Sequence, residues 1–335
     1  MRMRFLISII YTLFALQLAY SQPVPSAEEN IPYLMTFGNE AGISWGDDDF
    51  SQAFFFKIPK DFDQKVFIRV YDPDIGGGID EIRGFWDTQC QFEVYGGDGC
   101  HSEDDARETS PFGNYKSGTL LDMKIFGENT RYDGSWYTFG PFSPEEGEFA
   151  EEFDGYIFKV ICEGISGDDG NMYRYYLSTE ADRNKSIQGA NAFAYEYSFR
   201  MHNDPKQVSH IYPYIAEGTI TVKVSNFDWD NDGDILVVST ERQGEILSVS
   251  GEENWVRDQI TVLDGEVGGS YDFQFPKKKF GAPVLNNNVV VNVRNQFDET
   301  MPFYTSPIGG VPEYKYGIGK EKTTQPKKTK SLPGN

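Results

Sequence analysis

Histidine and cysteine are scarce in this chain of 335 residues: three of each. The histidines, His101, His202 and His210, form no HExxH pair, and no GxSxG elbow is present. Neither a phosphate-cradling P-loop nor a dinucleotide fingerprint occurs, so the common zinc-protease, serine-hydrolase and nucleotide signatures are missing. No window sustains a helical apolar stripe. After the first 20 residues, no stretch reaches the roughly 18 apolar residues that a membrane helix needs.

The first residues read as an export signal. Arg2 and Arg4 supply a positive start, Phe5 to Leu18 is a short apolar run, and Ala19-Tyr20-Ser21 ends in small residues. That pattern predicts cleavage before Gln22, with 1–21 as signal peptide. The expected location is secreted, periplasmic or at the cell surface, with no membrane insertion after signal cleavage.

Positive charge is the next shortage. The formal net charge is −22, and Lys315–Asn335 alone holds six Lys against one Glu. Subtracting this +5 and the +2 of Arg2 and Arg4 leaves −29 on residues 22–314. So much like charge repels itself and argues against nucleic acid as a partner. It also calls for counter-ions, and divalent cations meet that need with the fewest ions.

What is abundant is strand pattern. Val66, Ile68 and Val70 alternate with Phe67, Arg69 and Tyr71, and Phe193, Tyr195, Tyr197 and Phe199 alternate with smaller or polar residues. Ile220, Val222 and Val224 repeat the period of two, as do Tyr271, Phe273 and Phe275. Turn residues break these runs at short intervals. The expected fold is all-β, with two consecutive β-sandwich domains of jelly-roll or immunoglobulin-like type, over 31–200 and 211–304. Residues 305–335 are expected to be a flexible basic tail.

In an exported protein Cys90 and Cys100 are spaced to close a short disulfide loop around Tyr95-Gly96-Gly97-Asp98-Gly99, a bond that would stabilise by about 2–4 kcal/mol. Cys162 is then left over, though its pairing with either stays open.

Two acidic patterns suggest metal. In Asp228-Trp229-Asp230-Asn231-Asp232-Gly233-Asp234, alternating carboxylates with Gly at the sixth place bring several oxygens toward one cation, and calcium takes six to eight such oxygens at about 2.3–2.6 Å. The spacing is similar to the start of an EF-hand loop but has Ser239 where that loop has a bidentate Glu. The second pattern is Asp72 and Asp74 at a strand end, then Gly76-Gly77-Gly78 and Asp80. The turns Asp47-Asp48-Asp49 and Asp168-Asp169-Gly170-Asn171 are candidates to meet it at the same end of the sandwich.

Tyr71-Asp72-Pro73-Asp74, with the turn Gly167-Asp168-Asp169-Gly170-Asn171-Met172-Tyr173, resembles calcium-loaded β-sandwich modules of secreted bacterial proteins, including the pre-peptidase C-terminal type. The likeness spans 50–200 and departs at the insertion Cys90–Asn114. It implies an accessory module rather than a catalyst.

The expected function is therefore a secreted, calcium-stabilised binding or surface-structural module, with a polysaccharide or surface protein as partner. Two alternatives stand beside it. A carbohydrate-binding module would use exposed aromatics, for which Trp136, Tyr137 and Trp229 are candidates, and would be favoured by coplanar Trp or Tyr on one sandwich face. A glycoside hydrolase would use a carboxylate pair.

Overall fold

The computed structural model describes residues 23–42, 50–109, 114–278 and 284–315. The expected signal peptide, the turn Asp47-Asp48-Asp49 and residues 316–335 lie outside them. The fold is all-β, and every pairing between strands is antiparallel. The period-two alternation accounts for this: one side chain of each pair enters the core and the next leaves it.

Three sheets form. One is eight-stranded, in the order β16 (Trp255–Thr261), β13 (Thr221–Phe227), β18 (Asn288–Arg294), β11 (Glu196–Arg200), β1 (Leu34–Phe37), β9 (Gly170–Ser178), β3 (Val66–Tyr71) and β6 (Trp136–Phe142). The second runs β19 (Phe303–Tyr304), β10 (Asn191–Ala194), β2 (Ser51–Pro59), β8 (Gly155–Ser166), β4 (Gln89–Gly96) and β5 (Thr119–Phe126), with β7 (Glu148–Ala150) also on β8. The third is β12 (Val208–Ile211), β17 (Asp272–Pro276), β14 (Ile235–Val238) and β15 (Gln243–Leu247).

The first two sheets face each other across a shared core. Phe54 of β2 meets Tyr175 of β9 at 5.0 Å between ring centres, and Phe92 of β4 meets Tyr173 at 5.4 Å, edge to face. The third sheet joins the same core through Phe275, 5.5 Å from Phe199. Burying a Phe or Leu side chain of this kind contributes about 1.5–3 kcal/mol.

The sheets run on through the boundary expected near 201–212. Strand β11 pairs with β18 from Glu196↔Asn292 to Arg200↔Asn288, and β10 pairs with β19. The two segments thus share sheets as well as core. Beyond β19 the chain stays on the body: Ile308 N–H donates to Ser270, and Lys315 pairs with Glu241 at 2.8 Å.

The expected Cys90–Cys100 disulfide is absent; all three cysteines are free and buried. The reason lies in β4 and the turn that follows it. Cys90 and Phe92 point into the core between the two large sheets, together with Cys162. Cys100 lies in a separate aromatic cluster with Phe55, Tyr95 and Phe193. There its thiol donates to Ile157 O at 3.3 Å, and burial pushes it up to about 12.

Candidate metal centre

Strand β3 ends because Asp72 takes a left-handed backbone, φ 54°. An aspartate tolerates that conformation better than a branched residue does. The turn throws Asp72 and Asp74 inward, and both are essentially unexposed, at 0% and 1%. A neighbouring loop grips one oxygen of each. Gly134 N–H donates to Asp72 Oδ1 at 2.9 Å, and Tyr132 N–H donates to Asp74 Oδ2 at 2.8 Å.

The other oxygens, Asp72 Oδ2 and Asp74 Oδ1, are buried with no hydrogen-bond partner. So is Oδ1 of Asn171, whose Nδ2 donates to the carbonyl of Pro73, between the two aspartates, at 3.0 Å. Leaving a buried acceptor unmet costs about 1–3 kcal/mol, more when it is charged. Native proteins rarely tolerate three together without water or an ion to satisfy them.

The rest of the pattern closes around the same place. Asp80 accepts from Met172 N–H at 2.8 Å and from Gly76 N–H at 2.9 Å. Glu81 and Gly170 exchange two backbone bonds of 2.9 Å, which fixes the Asp168–Asn171 turn beside the Asp72–Asp80 loop. These two turns do converge. Gly77, at φ 76°, lies so close to Asp133 that a Cβ there would sit 2.1 Å from its carboxylate. Spacing alone could not reveal Asp133 or Asn171 as members. The polar turn Gly-Asp-Asp-Gly-Asn was the visible hint of the second.

Like charge in a dry pocket moves the acidities. Burial pushes the Asp72 carboxyl up to about 6, against the pull of the Gly134 amide, and Asp133 and Asp74 add to the rise. Burial likewise raises Asp74, and raises Asp80 well above the carboxylate range. Asp72, Asp74 and Asn171 each keep one unmet hard oxygen, the donor chemistry that calcium prefers, while no three of the carboxylates Asp72, Asp74, Asp80 and Asp133 bring oxygens within 4.8 Å of one another.

Two other acidic groups differ. Asp87, Asp168 and Asp169 bring their carboxylate oxygens within 4.8 Å of one another. Asp169 is already engaged by the amides of Arg83, Asp87 and Thr88 at 2.8, 2.9 and 3.2 Å, so it ties the loop together. Asp87 is exposed and Asp168 half-buried, open to water.

The loop Asp228–Asp234 is met by a cation from elsewhere in the chain. Lys277 Nζ lies 3.0 Å from Asp232 Oδ2, with both side chains buried. Asp228 Oδ1 accepts from Glu253 N–H at 2.8 Å, and burial pushes its carboxyl up to about 7. Asp230 is half-buried and Asp234 exposed. Trp229 is wholly buried, edge-on to Phe275 at 6.2 Å, so it has no face to offer a ligand.

Trp136 and Tyr137 begin β6. Trp136 is half-buried on the outer face of the sheet, 5.3 Å from Tyr71 and under the Arg69 guanidinium at 5.1 Å. Tyr137 points the other way and packs on Phe126 and Phe139 at 5.1 and 4.8 Å, at the margin of the core.

No protein-family model matches the chain, and no curated protein does. Among solved structures, one titled "Structure of the Macrobrachium rosenbergii Nodavirus" aligns at 7% identity, covering 80% of this chain and 88% of that one, with a TM-score of 0.16. A likeness at that level says nothing of function. No helix among the described residues is long and apolar enough to cross a membrane.

Proposed function

We propose that this protein is an exported, calcium-stabilised binding or surface-structural module. The observation that carries the reading is the set of three buried, partnerless oxygens on Asp72, Asp74 and Asn171. A cation within reach of all three would satisfy them together and offset the repulsion among Asp72, Asp74 and Asp133. Its role would be structural: it would join the end of β3, the start of β9 and the loop before β6. Calcium fits better than magnesium because it accepts irregular, many-membered oxygen shells.

The hydrolase alternative draws less support. A catalytic acid shows a raised pKa in a cleft. Glu29 is raised to about 7, but it is wholly buried between Ser26 and Tyr197, where no substrate reaches it.

The deciding experiment is thermal unfolding in EDTA, then with calcium or magnesium. A ligand that binds only the folded state adds about 2.7 kcal/mol at a hundredfold excess over Kd. The expected result is a clear rise with calcium, absent in Asp72→Asn/Asp74→Asn. An equal rise in that variant, or none in the wild type, removes the site.

A further inference from the structure

A second feature of the outer face is independent of the metal residues. At one edge of the eight-stranded sheet, Ser225, Trp255, Val256, Arg257, Asn292 and Arg294 line an open cavity of about 330 Å³. That is at the small end of ligand pockets, which run roughly 300–1,000 Å³. The register explains the cluster. Directly paired residues share a face, and Ser225 pairs with both Arg257 and Asn292, Phe227 with Trp255, and Lys223 with Arg294. The alternate residues Val222, Val224, Val291 and Val293 fill the core.

Two properties set this cavity apart. Trp255 is 41% exposed, although a large indole is normally buried, and it leans on Phe227 at 5.3 Å. Asn292 donates its Nδ2 to Glu196 Oε2 at 2.9 Å, which fixes the amide orientation and turns Oδ1 away. That Oδ1 is buried and has no hydrogen-bond partner. It is an acceptor that needs a donor.

Charge narrows the ligand further. Lys223 and Arg257 both face Asp298, at 2.7 and 3.9 Å, and Arg294 pairs with Glu108 while donating to the Asp298 carbonyl at 2.7 Å. With Glu196 beside Asn292, three carboxylates stand against the three cations here, and the chain as a whole carries −22. An anionic ligand would find little attraction, and a bare carboxylate has no proton to give to Asn292. A neutral ring with hydroxyl donors and a C–H face meets every requirement.

We propose that this cavity binds a neutral pyranose unit of a polysaccharide, stacked on Trp255, with a hydroxyl donating to Asn292 Oδ1 and others accepting from Arg257. The sugar site is separate from Trp136 and from the metal-binding residues.

The test is calorimetry and tryptophan fluorescence with cellohexaose, xylohexaose, mannohexaose and laminarihexaose, in calcium and again in EDTA. Trigalacturonate serves as the acidic comparison. At least one neutral oligosaccharide should bind in both media, and Trp255→Ala should weaken it about tenfold or more. Trp255 and Arg257 are exposed, so neither substitution should disturb folding, as an unchanged melting temperature would show. Arg257→Ala should weaken binding less, and Trp136→Ala not at all. The proposal is overturned if no neutral oligosaccharide binds, if Trp255→Ala binds like the wild type, if only trigalacturonate binds, or if binding needs calcium.

Discussion

The loop Asp228–Asp234 and the strand-end pocket around Asp72 carry similar acidic sequences and reach opposite solutions. In the loop, a lysine from a distant part of the chain supplies the positive charge: Lys277 is 3.0 Å from Asp232, and both are buried. In the pocket no lysine or arginine among the described residues pairs with Asp72 or Asp74, and two carboxylate oxygens and an amide oxygen have no hydrogen-bond partner. The more motif-like sequence is thus the one already neutralised. A run of carboxylates specifies a demand for positive charge but not its source.

The largest expected effect is at Lys277. Removing one partner of a buried pair leaves an unpaired charge, at a cost of about 3–5 kcal/mol. Lys277→Ala should therefore lower the melting temperature sharply with or without calcium. Asp232→Asn added to it should recover part of the loss, because the stranded charge is gone. If Lys277→Ala melts like the wild type, the two regions are not distinguished by their cations.

Next is the pH profile. Asp72 is raised to about 6 and Asp228 to about 7, from a value near 4 in the unfolded chain. Between those values the folded state holds a proton that the unfolded state has lost, so stability falls as pH rises. Without metal the decline owed to these two carboxyls should run from about pH 4 to about pH 7, with Glu29 adding to it over the same range. Calcium should remove the part owed to Asp72 by favouring its ionised form, and leave the part owed to Asp228. Melting curves against pH for Asp72→Asn and Asp228→Asn, with and without calcium, test the assignment. A calcium effect that vanishes in Asp228→Asn would reverse it.

Much of the fold was legible in the sequence because alternation acts locally. Val66, Ile68 and Val70 face the core as their spacing requires, and the turn residues break the strands where expected. Pairing between distant strands is not local. Nothing in the sequence near residue 200 shows that β11 will lie beside β18, and so the sheets continue where a boundary was expected. The cysteines failed for a related reason: closeness in sequence suggested a bond, while β4 puts Cys90 in one cluster and the turn after it puts Cys100 in another. In the candidate site, Asp72, Asp74 and Asp80 could be read from their spacing. Asp133 and Asn171 arrive from other loops, and the Lys277 partner of Asp232 lies 45 positions away.

A smaller effect is expected at Gly77. Its left-handed backbone costs an ordinary residue about 1–2 kcal/mol, and a Cβ would meet the Asp133 carboxylate at 2.1 Å. Asp133 is exposed and can swing aside, so Gly77→Ala should fold with a modest loss of stability. The displaced carboxylate should weaken the calcium response. Unchanged calcium affinity would take Asp133 out of the site and leave Asp72, Asp74, Asp80 and Asn171.

The smallest effect belongs to the triad Asp87, Asp168 and Asp169, whose oxygens are the most tightly grouped of any described acidic cluster. Grouping alone would make it the metal site. Its chemistry argues otherwise, because water reaches Asp87 and Asp168 and three backbone amides already satisfy Asp169. A solvated carboxylate gains little from a cation, since it must give up water to bind it. Asp87→Asn should therefore change stability by less than about 0.5 kcal/mol and leave the calcium-induced rise intact. If that single exposed substitution abolishes the rise, the cation sits on the surface triad, and the partnerless oxygens of Asp72, Asp74 and Asn171 are met by buried water instead.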